Sequence, residues 1–179
     1  MRHVVLIVAA VTALSSCGYG LAGRNVSLPD HIKVIAVPML TNRTAVPDLD
    51  QMLTQAILKE LQSRGRFRVV PDAKGADVDA VVSGSVSNLT LTPKTFNQGQ
   101  ATRVDIAVMA SIELKDLRNS NKVLWSNPGV TASDEFPIGA GTGTAPVDAA
   151  AYLRQNNDAY QRLAAKFART VVTSMLEGM

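Results

Sequence analysis

The amino-acid sequence predicts an α+β fold, a two-layer sandwich in which two helices pack on one face of a mixed sheet of four to five strands. Short apolar runs typical of strands are interspersed with two longer segments of helical period, in the order β–α–β–β–β–β–α. One long segment alternates strictly between apolar and mixed positions, which is the period of a sheet with one buried face. The chain has 179 residues, 46% of them hydrophobic, which is enough for the core of one domain.

The first predicted elements are a strand and a helix. The apolar run 32–37, ended by Pro38, is typical of a strand buried on both faces. From Asp48 the period becomes helical, and Gln51 has the spacing of a capping partner for Asp48. Gly65 supplies a C-terminal stop. The apolar stripe of this amphipathic helix consists of Leu49, Met52, Leu53, Ala56, Ile57 and Leu61.

Four strands are predicted to follow. The first covers 67–70, and the second covers 80–92 with a change of phase that predicts a bulge near Asn88. The third covers 103–115, and the fourth covers 123–131 and contains Pro128, which favours an edge position. A turn at 118–121 separates the last two strands. The apolar face of the third strand consists of Val104, Ile106, Val108, Ala110, Ile112 and Leu114.

A glycine-containing loop is predicted to lead into the last helix. Gly139, Gly141 and Gly143 are interpreted as a linker rather than a phosphate-binding loop, because no Lys-Ser/Thr pair follows them. Pro146 suits the first turn of the helix. Its apolar stripe consists of Tyr160, Leu163, Ala164, Phe167, Val171 and Met175.

The amino terminus has the layout of a secretory signal peptide. Residues 1–16 contain a basic start, an apolar run of about 17 Å if helical, and small residues, which is too short to span a bilayer. Leu14-Ser15-Ser16-Cys17 is similar to a bacterial lipobox, so we expect cleavage before Cys17 and lipidation of its thiol. Gly18, where inner-membrane lipoproteins commonly have Asp, favours the outer membrane. The predicted divisions are a signal peptide at 1–16, an acylated tether at 17–30 and a single domain at 31–179.

Composition excludes several function classes. One Cys and two His rule out a multi-ligand Cys/His zinc site and a disulfide framework within one chain. The formal net charge of +3 and an aromatic content of 4% argue against nucleic-acid binding. Composition leaves only a carboxylate-only metal site open. We expect no metal, no nucleic acid and no cofactor apart from the covalent lipid on Cys17.

No arrangement of residues predicts catalysis. The mature chain retains a single imidazole, His31, with no nucleophile motif beside it, and it has neither a GxSxG elbow nor an HExxH pattern. Asp77 with Asp79, and Asp134 with Glu135, are interpreted as solvated pairs rather than acid/base couples. A binding protein is therefore expected, not an enzyme.

Several short motifs in order resemble one family. They are Cys17-Gly18-Tyr19-x-Leu21-x-Gly23, Leu28-Pro29, Val37-Pro38, Asn42-x-Thr44, Phe67-x-Val69-Val70, Ala76-Asp77 and Val123-Leu124-Trp125. Together with a long hairpin around 96–100, they resemble the lipopolysaccharide-assembly lipoproteins of the LptE family. Some of these motifs, in the same order, are also similar to those of the peptidoglycan-synthase activators and the curli-secretion lipoproteins.

The resemblance implies a partner, a ligand and a location. LptE proteins plug the lumen of the outer-membrane barrel LptD, so we expect a one-to-one complex with such a barrel and a role in moving lipopolysaccharide to the outer leaflet. The domain would be lipid-anchored on the periplasmic side or lie within the barrel lumen. The alternative is a regulatory outer-membrane lipoprotein that docks on a peptidoglycan synthase or a secretion complex.

Two groups of residues are candidates for lipopolysaccharide binding. Lys94 and Arg103 flank the hairpin tip and suit lipid A phosphates, with Phe96 as an acyl contact. The second choice is Arg64, Arg66 and Arg68 at the end of the first helix, where the helix C-terminus alone can account for Arg64. The alternative is that Lys94 and Arg103 are ordinary solvated loop charges without a ligand.

Overall fold

A computed structural model describes residues 28–74, 77–97, 100–137 and 157–177. These residues form a single mixed sheet with two helices packed on it. The elements are β1 (Val34–Ala36), β2 (Thr41–Asn42), α1 (Leu49–Ser63), β3 (Arg68–Val70), β4 (Ala80–Asn97), β5 (Gln100–Asp116), β6 (Lys122–Pro137) and α2 (Asn157–Glu177). The predicted α+β sandwich is confirmed.

The sheet combines a short parallel part with a long antiparallel part. The strand order is β3-β1-β4-β5-β6, and β2 pairs with β4 beyond the end of β1. β1 is parallel to both β3 and β4, whereas β4, β5 and β6 form an antiparallel meander. The predicted count of four to five strands is wrong, because the described chain contains six. The additional strand, β2, has only two residues and therefore no periodicity that a sequence could display.

The alternation along β5 is confirmed and supplies one continuous row of core side chains. Its even-numbered side chains from Val104 to Leu114 are all fully buried. The predicted bulge in β4 lies between Val86 and Asn88. β6 is an edge strand of the sheet, as Pro128 suggested, and its pairing with β5 shifts register at that point. It is longer than predicted and continues to Pro137.

Both helices pack the predicted stripes against one face of the sheet. In α1, Met52 and Ala56 are only partly buried, and Leu58, which lies outside the predicted stripe, is buried. α1 contacts β2 and β3, α2 contacts β5 and β6, and the helices pack on each other. The predicted stop at Gly65 is confirmed by its φ of +66°, a backbone conformation that glycine adopts without a steric penalty. Neither described helix is long and apolar enough to cross a membrane.

The predicted capping of α1 is wrong. Asp48 has φ 60° and ψ 7°, and its side chain forms no capping hydrogen bond. A capping carboxylate needs an extended backbone that aims it at the first free N–H groups, and the left-handed conformation of Asp48 turns it away. Only the Asp48 carbonyl contributes, accepting a hydrogen bond from the N–H of Met52.

Several predictions concern parts of the chain outside the described residues. These are the signal peptide, Cys17 and the tether up to residue 27, the glycine-containing loop and Pro146. Leu28 is the first described residue and is already buried in the core, 2% exposed.

Candidate functional site

The hairpin tip places both predicted lipopolysaccharide cations beside carboxylates. Lys94 Nζ lies 3.9 Å from an Asp105 carboxylate oxygen, and Arg103 donates a hydrogen bond of 3.3 Å to Glu135. The side chains of Lys94 and Arg103 remain 49% and 56% exposed. The tip therefore presents two local ion pairs rather than unopposed positive charge. Phe96 pairs with Ala101 through the backbone, and its side chain lies outside the described part of the structure.

In the second predicted group, Arg64 differs from Arg66 and Arg68 in its contacts. Arg64 donates to Glu60 at 3.1 Å and to the Thr173 hydroxyl at 3.0 Å, and its other terminal nitrogen lies 3.8 Å from Glu177. Arg64 therefore joins the C-terminal ends of α1 and α2. These partners hold the Arg64 side chain between the two helices, so Arg64 is a poor candidate for a ligand contact.

Arg66 and Arg68 lie at the β3 edge of the sheet. The Arg66 guanidinium stacks over the Phe67 ring, 5.6 Å from its centroid, and Arg68 is exposed at the start of β3. Lys33, also exposed, precedes Val34, which is the register partner of Arg68. No pattern in the sequence points to Lys33, because only the parallel β1–β3 pairing brings the backbones of residues 33 and 68 together.

The sheet face turned away from the helices is broad and polar. On β5 it carries Ala107, Met109 and Ser111 between charged ends, and Met109 is 43% exposed. Paired positions on β4 and β6 are mostly small and hydroxyl-bearing; they include Ser83, Ser85, Thr90, Thr92, Ser126, Thr131 and Ser133. We call this surface the outer sheet face. At its charged end Glu113 accepts hydrogen bonds from Lys115 and Ser83, and these lower the pKa of the Glu113 carboxyl.

A buried polar cluster joins the start of β1 to the end of β5. Asp79 accepts hydrogen bonds from the N–H groups of Lys33 and Val34, both at 2.9 Å, and from Arg118 Nε at 3.0 Å. Burial alone would raise the pKa of Asp79, but these three donors outweigh it and hold the pKa below its usual value. The interpretation of Asp77 and Asp79 as a solvated pair is therefore wrong for Asp79. Asp77 is exposed, and it also pairs with Arg118.

Asp116 extends this cluster. Its carboxylate is 1% exposed and accepts hydrogen bonds from the N–H groups of Arg118 and Asn119. His31 Nε2 lies 2.8 Å from one of its oxygens. The His31 imidazole thus has a structural partner. All buried polar side-chain atoms in the described part of the chain have hydrogen-bond partners. The hydrogen bonds of this cluster connect the start of β1 with the turn after β5.

The described residues contain no group of three or more His, Cys, Asp and Glu that could hold a metal ion. A groove of about 530 Å³ lies between the helices, and its floor is made by small α2 side chains such as Ala164 and Ala168. Polar α1 side chains, among them Gln51 and Gln55, form its other wall. The groove contains no cluster of titratable groups resembling a catalytic centre.

Comparison with known proteins gives one family. The family model described as LptE, lipopolysaccharide-assembly, matches residues 32–175, which include every strand and nearly all of both helices. No curated protein matches the chain.

The chain is similar to several solved structures, and the likeness to one of them, with a TM-score above 0.5, shows that the fold recurs. The hypothetical protein CT253 from Chlamydia trachomatis is 15% identical, with 80% of this chain and 97% of that chain covered and a TM-score of 0.53. PelC, solved as a dodecamer from Paraburkholderia phytofirmans, is 22% identical over 86% of this chain and 93% of that chain, with a TM-score of 0.48. The rare lipoprotein B from Shewanella oneidensis is 15% identical over 78% and 92%, with a TM-score of 0.43.

Proposed function

Because the chain belongs to the LptE lipopolysaccharide-assembly family, we propose that it is an outer-membrane lipoprotein that associates one-to-one with an LptD-type β-barrel. In this role it acts as a plug and assists the transport of lipopolysaccharide to the outer leaflet. The family match over residues 32–175 carries the proposal, because it covers the whole described fold rather than one motif.

The outer sheet face supports a barrel partner. The interior of a large outer-membrane barrel is polar, so a plug needs a surface that can bury many polar contacts without unpaired charge. Small hydroxyl side chains meet this need, since they donate and accept hydrogen bonds and let two backbones approach closely. The charges at the tip end of the face, Lys94, Asp105, Arg103 and Glu135, neutralise one another.

The lipobox-like sequence that ends at Cys17 supports the location. The acyl chains of a lipidated cysteine would hold the domain at a membrane surface, since each buried methylene contributes about 0.8 kcal/mol. The hairpin tip is a proposed lipopolysaccharide contact through Lys94, Arg103 and Phe96. A phosphate bound there has to displace Asp105 and Glu135 from the two cations.

Site-specific crosslinking in cells tests the barrel contact. A photo-crosslinking residue at Ala107 or Thr131 on the outer sheet face is expected to capture a large barrel protein in one-to-one ratio. The matched control positions are Gln62 and Arg169, which are exposed on the helices. Capture of a peptidoglycan synthase or a secretion component instead would overturn the barrel proposal in favour of the regulatory alternative.

A further inference from the structure

One side of β4 is open along part of its length. β1 pairs with β4 at residues 80–81, and β2 pairs with it at residues 85–86. Over residues 88–97, β4 pairs with β5 on one side, and no other described strand lies along its opposite side. We call residues 88–93 on that opposite side the β4 edge.

The Asn42-x-Thr44 motif turns the chain away from the β4 edge. The N–H of Arg43 donates to the Val86 carbonyl at 2.9 Å and completes the pairing of β2. The Asn42 side chain then accepts from the N–H of Thr44 at 2.9 Å and donates to the Val46 carbonyl at 2.7 Å. Side-chain bonds of this kind favour a turn over a continued strand. Among the described residues, none therefore continues the line of β2 along β4.

Leu89 and Leu91 direct backbone hydrogen-bonding groups to the β4 edge. Along a strand, residues whose side chains share a face direct their N–H and C=O groups to the same side. Val86 has its side chain in the core and accepts a hydrogen bond from β2 on this side. After the bulge between Val86 and Asn88, Leu89 and Leu91 again pack against the core. Their N–H and C=O groups therefore point away from β5.

The sequence of the β4 edge permits pairing and then ends it. Residues 88–92 contain no charged side chain and no proline. Pro93 follows, which removes the N–H that a longer ladder would need. The long edge strand β6 differs, since it contains Pro128, a register shift, Asp134 and Glu135. Prolines, bulges and charges keep an edge from pairing, so β6 is protected where the β4 edge is not.

The two leucines add apolar contacts to the open backbone. Leu89 and Leu91 are only partly buried, whereas their β5 partners Val108 and Ile106 are fully buried. A strand added along the β4 edge would place alternate side chains against these leucines. Sheet edges recognise extended peptides in this way, with affinity from the backbone ladder and specificity from alternate side chains.

We propose that the β4 edge binds an extended segment of the barrel partner as an added β-strand. The inference rests on the proposed function and names a second contact with that partner. Thr90 and Thr92 of the outer sheet face lie on the same stretch of β4, so the two contacts are continuous. The barrel would thus meet both the outer sheet face and the edge beside it.

The short length of the β4 edge favours a segment of this partner over a second copy of the chain. Five strand residues span only about 17 Å. Stable association of two free proteins takes a buried area of about 1,200–2,000 Å². A ladder of this length provides too little area for a dimer held by the edge alone. A segment of a partner that is already bound needs less, because its effective concentration is high.

Amide hydrogen exchange tests the added strand. It is measured on the acylated full chain alone and in its detergent-solubilised complex with the barrel. Exchange of the Leu89 and Leu91 amides is expected to slow about tenfold or more in the complex, because an added strand pairs these N–H groups. Side-chain contacts alone would leave them unpaired. The matched control is Val69 on β3, between Arg68 and Val70, which both bond to β1. Its amide is expected to change less than twofold.

Two proline variants separate the β4 edge from edges in general. Leu91→Pro removes an N–H that has no partner within the described domain, and it is expected to speed dissociation from the barrel about threefold or more. Val69→Pro makes the same change at another partly buried edge position and is expected to leave dissociation unchanged. Leu91→Val keeps the N–H and is expected to retain the slow exchange. Thermal melts establish that the variants keep the fold, and the exchange measurement on the wild type needs no variant.

A photo-crosslinking residue at Leu89 identifies the occupant. Capture of one barrel segment supports the inference. Capture of residues 138–156 of the same chain, or of a second copy, overturns it. Unchanged exchange at Leu89 and Leu91 in a one-to-one barrel complex also overturns it and leaves the proposed function intact. Failure of the wild-type chain to co-purify with a barrel overturns the proposed function, and the inference with it.

Discussion

A single carboxylate, that of Asp79, links three segments of the chain. It accepts hydrogen bonds from two consecutive N–H groups at the start of β1 and from Arg118 after β5. The backbone of Asp79 also contributes, since its N–H donates to Val34 and its carbonyl accepts from Leu117. The sequence displays Asp79 only as an aspartate before a strand, because its donors are about 40 residues away on both sides.

The lowered pKa of Asp79 predicts a pH-dependent contribution to stability. A group whose folded pKa lies below its unfolded value, about 3.9, stabilises the fold above that pH and loses the effect as pH falls through the folded pKa. Asp79→Asn is expected to lower the unfolding free energy by about 1–3 kcal/mol at pH 7, because one amide oxygen cannot serve three donors. Denaturant melts between pH 7 and pH 3 check this, and the difference from wild type should shrink below about pH 4. A difference that stays constant over that range would contradict the assignment.

Gly84 marks a position where the sheet leaves no room for a side chain. A Cβ at this residue would lie 2.2 Å from the Ser111 carbonyl oxygen and 2.7 Å from the Ile112 side chain. Gly84→Ala is therefore expected to cost about 1–3 kcal/mol or more in unfolding free energy, since backbone cannot yield as a flexible side chain can.

Gly129 provides the matched control for Gly84. A Cβ there meets nothing within 4 Å, so Gly129→Ala is expected to change stability by no more than about 0.5 kcal/mol. Equal melting temperatures for the Gly84→Ala variant and the wild type would mean that β4 and β5 are further apart than described.

At the scale of elements, sequence periodicity succeeded where an element has one face in the core. The strand β5 and both helix stripes follow from the residues themselves, because burial imposes a period of two or of 3.6. The capping of α1 could not be predicted this way, since it depends on the left-handed backbone of Asp48 and not on residue type. The two-residue strand β2 exists only because β4 continues beside it.

The alternation of β5 predicts unequal costs for changes on its two faces. Val108 is fully buried, so Val108→Ala is expected to lower the unfolding free energy by roughly 1–3 kcal/mol. Asp105 lies partly buried on the outer sheet face, and its contact with Lys94 is long, 3.9 Å, so Asp105→Ala should cost less than about 1 kcal/mol. Chemical denaturation of the two variants measures the difference. Similar losses would place the core on the wrong face of β5.

At the scale of the whole molecule, the sheet separates two roles. The helices close the core on one face, and the outer sheet face stays open with small polar side chains and paired charges. The cations of the candidate sites were visible in the sequence, but their pairing was not. Lys94 and Arg103 meet carboxylates contributed by neighbouring strands.

Anchoring through Cys17 is a proposed property of the whole molecule that a single change can test. Eleven peptide steps separate Cys17 from Leu28, the first described core residue, and at full extension they span at most about 40 Å. A lipid on Cys17 would therefore keep the domain within that distance of the membrane. Cys17→Ala is expected to abolish palmitate labelling and to leave the chain unprocessed or released into the periplasmic fraction, whereas Ser16→Ala should be processed normally. Equal labelling and equal membrane recovery of the Cys17→Ala variant and the wild type would mean that Cys17 is not the lipid attachment site.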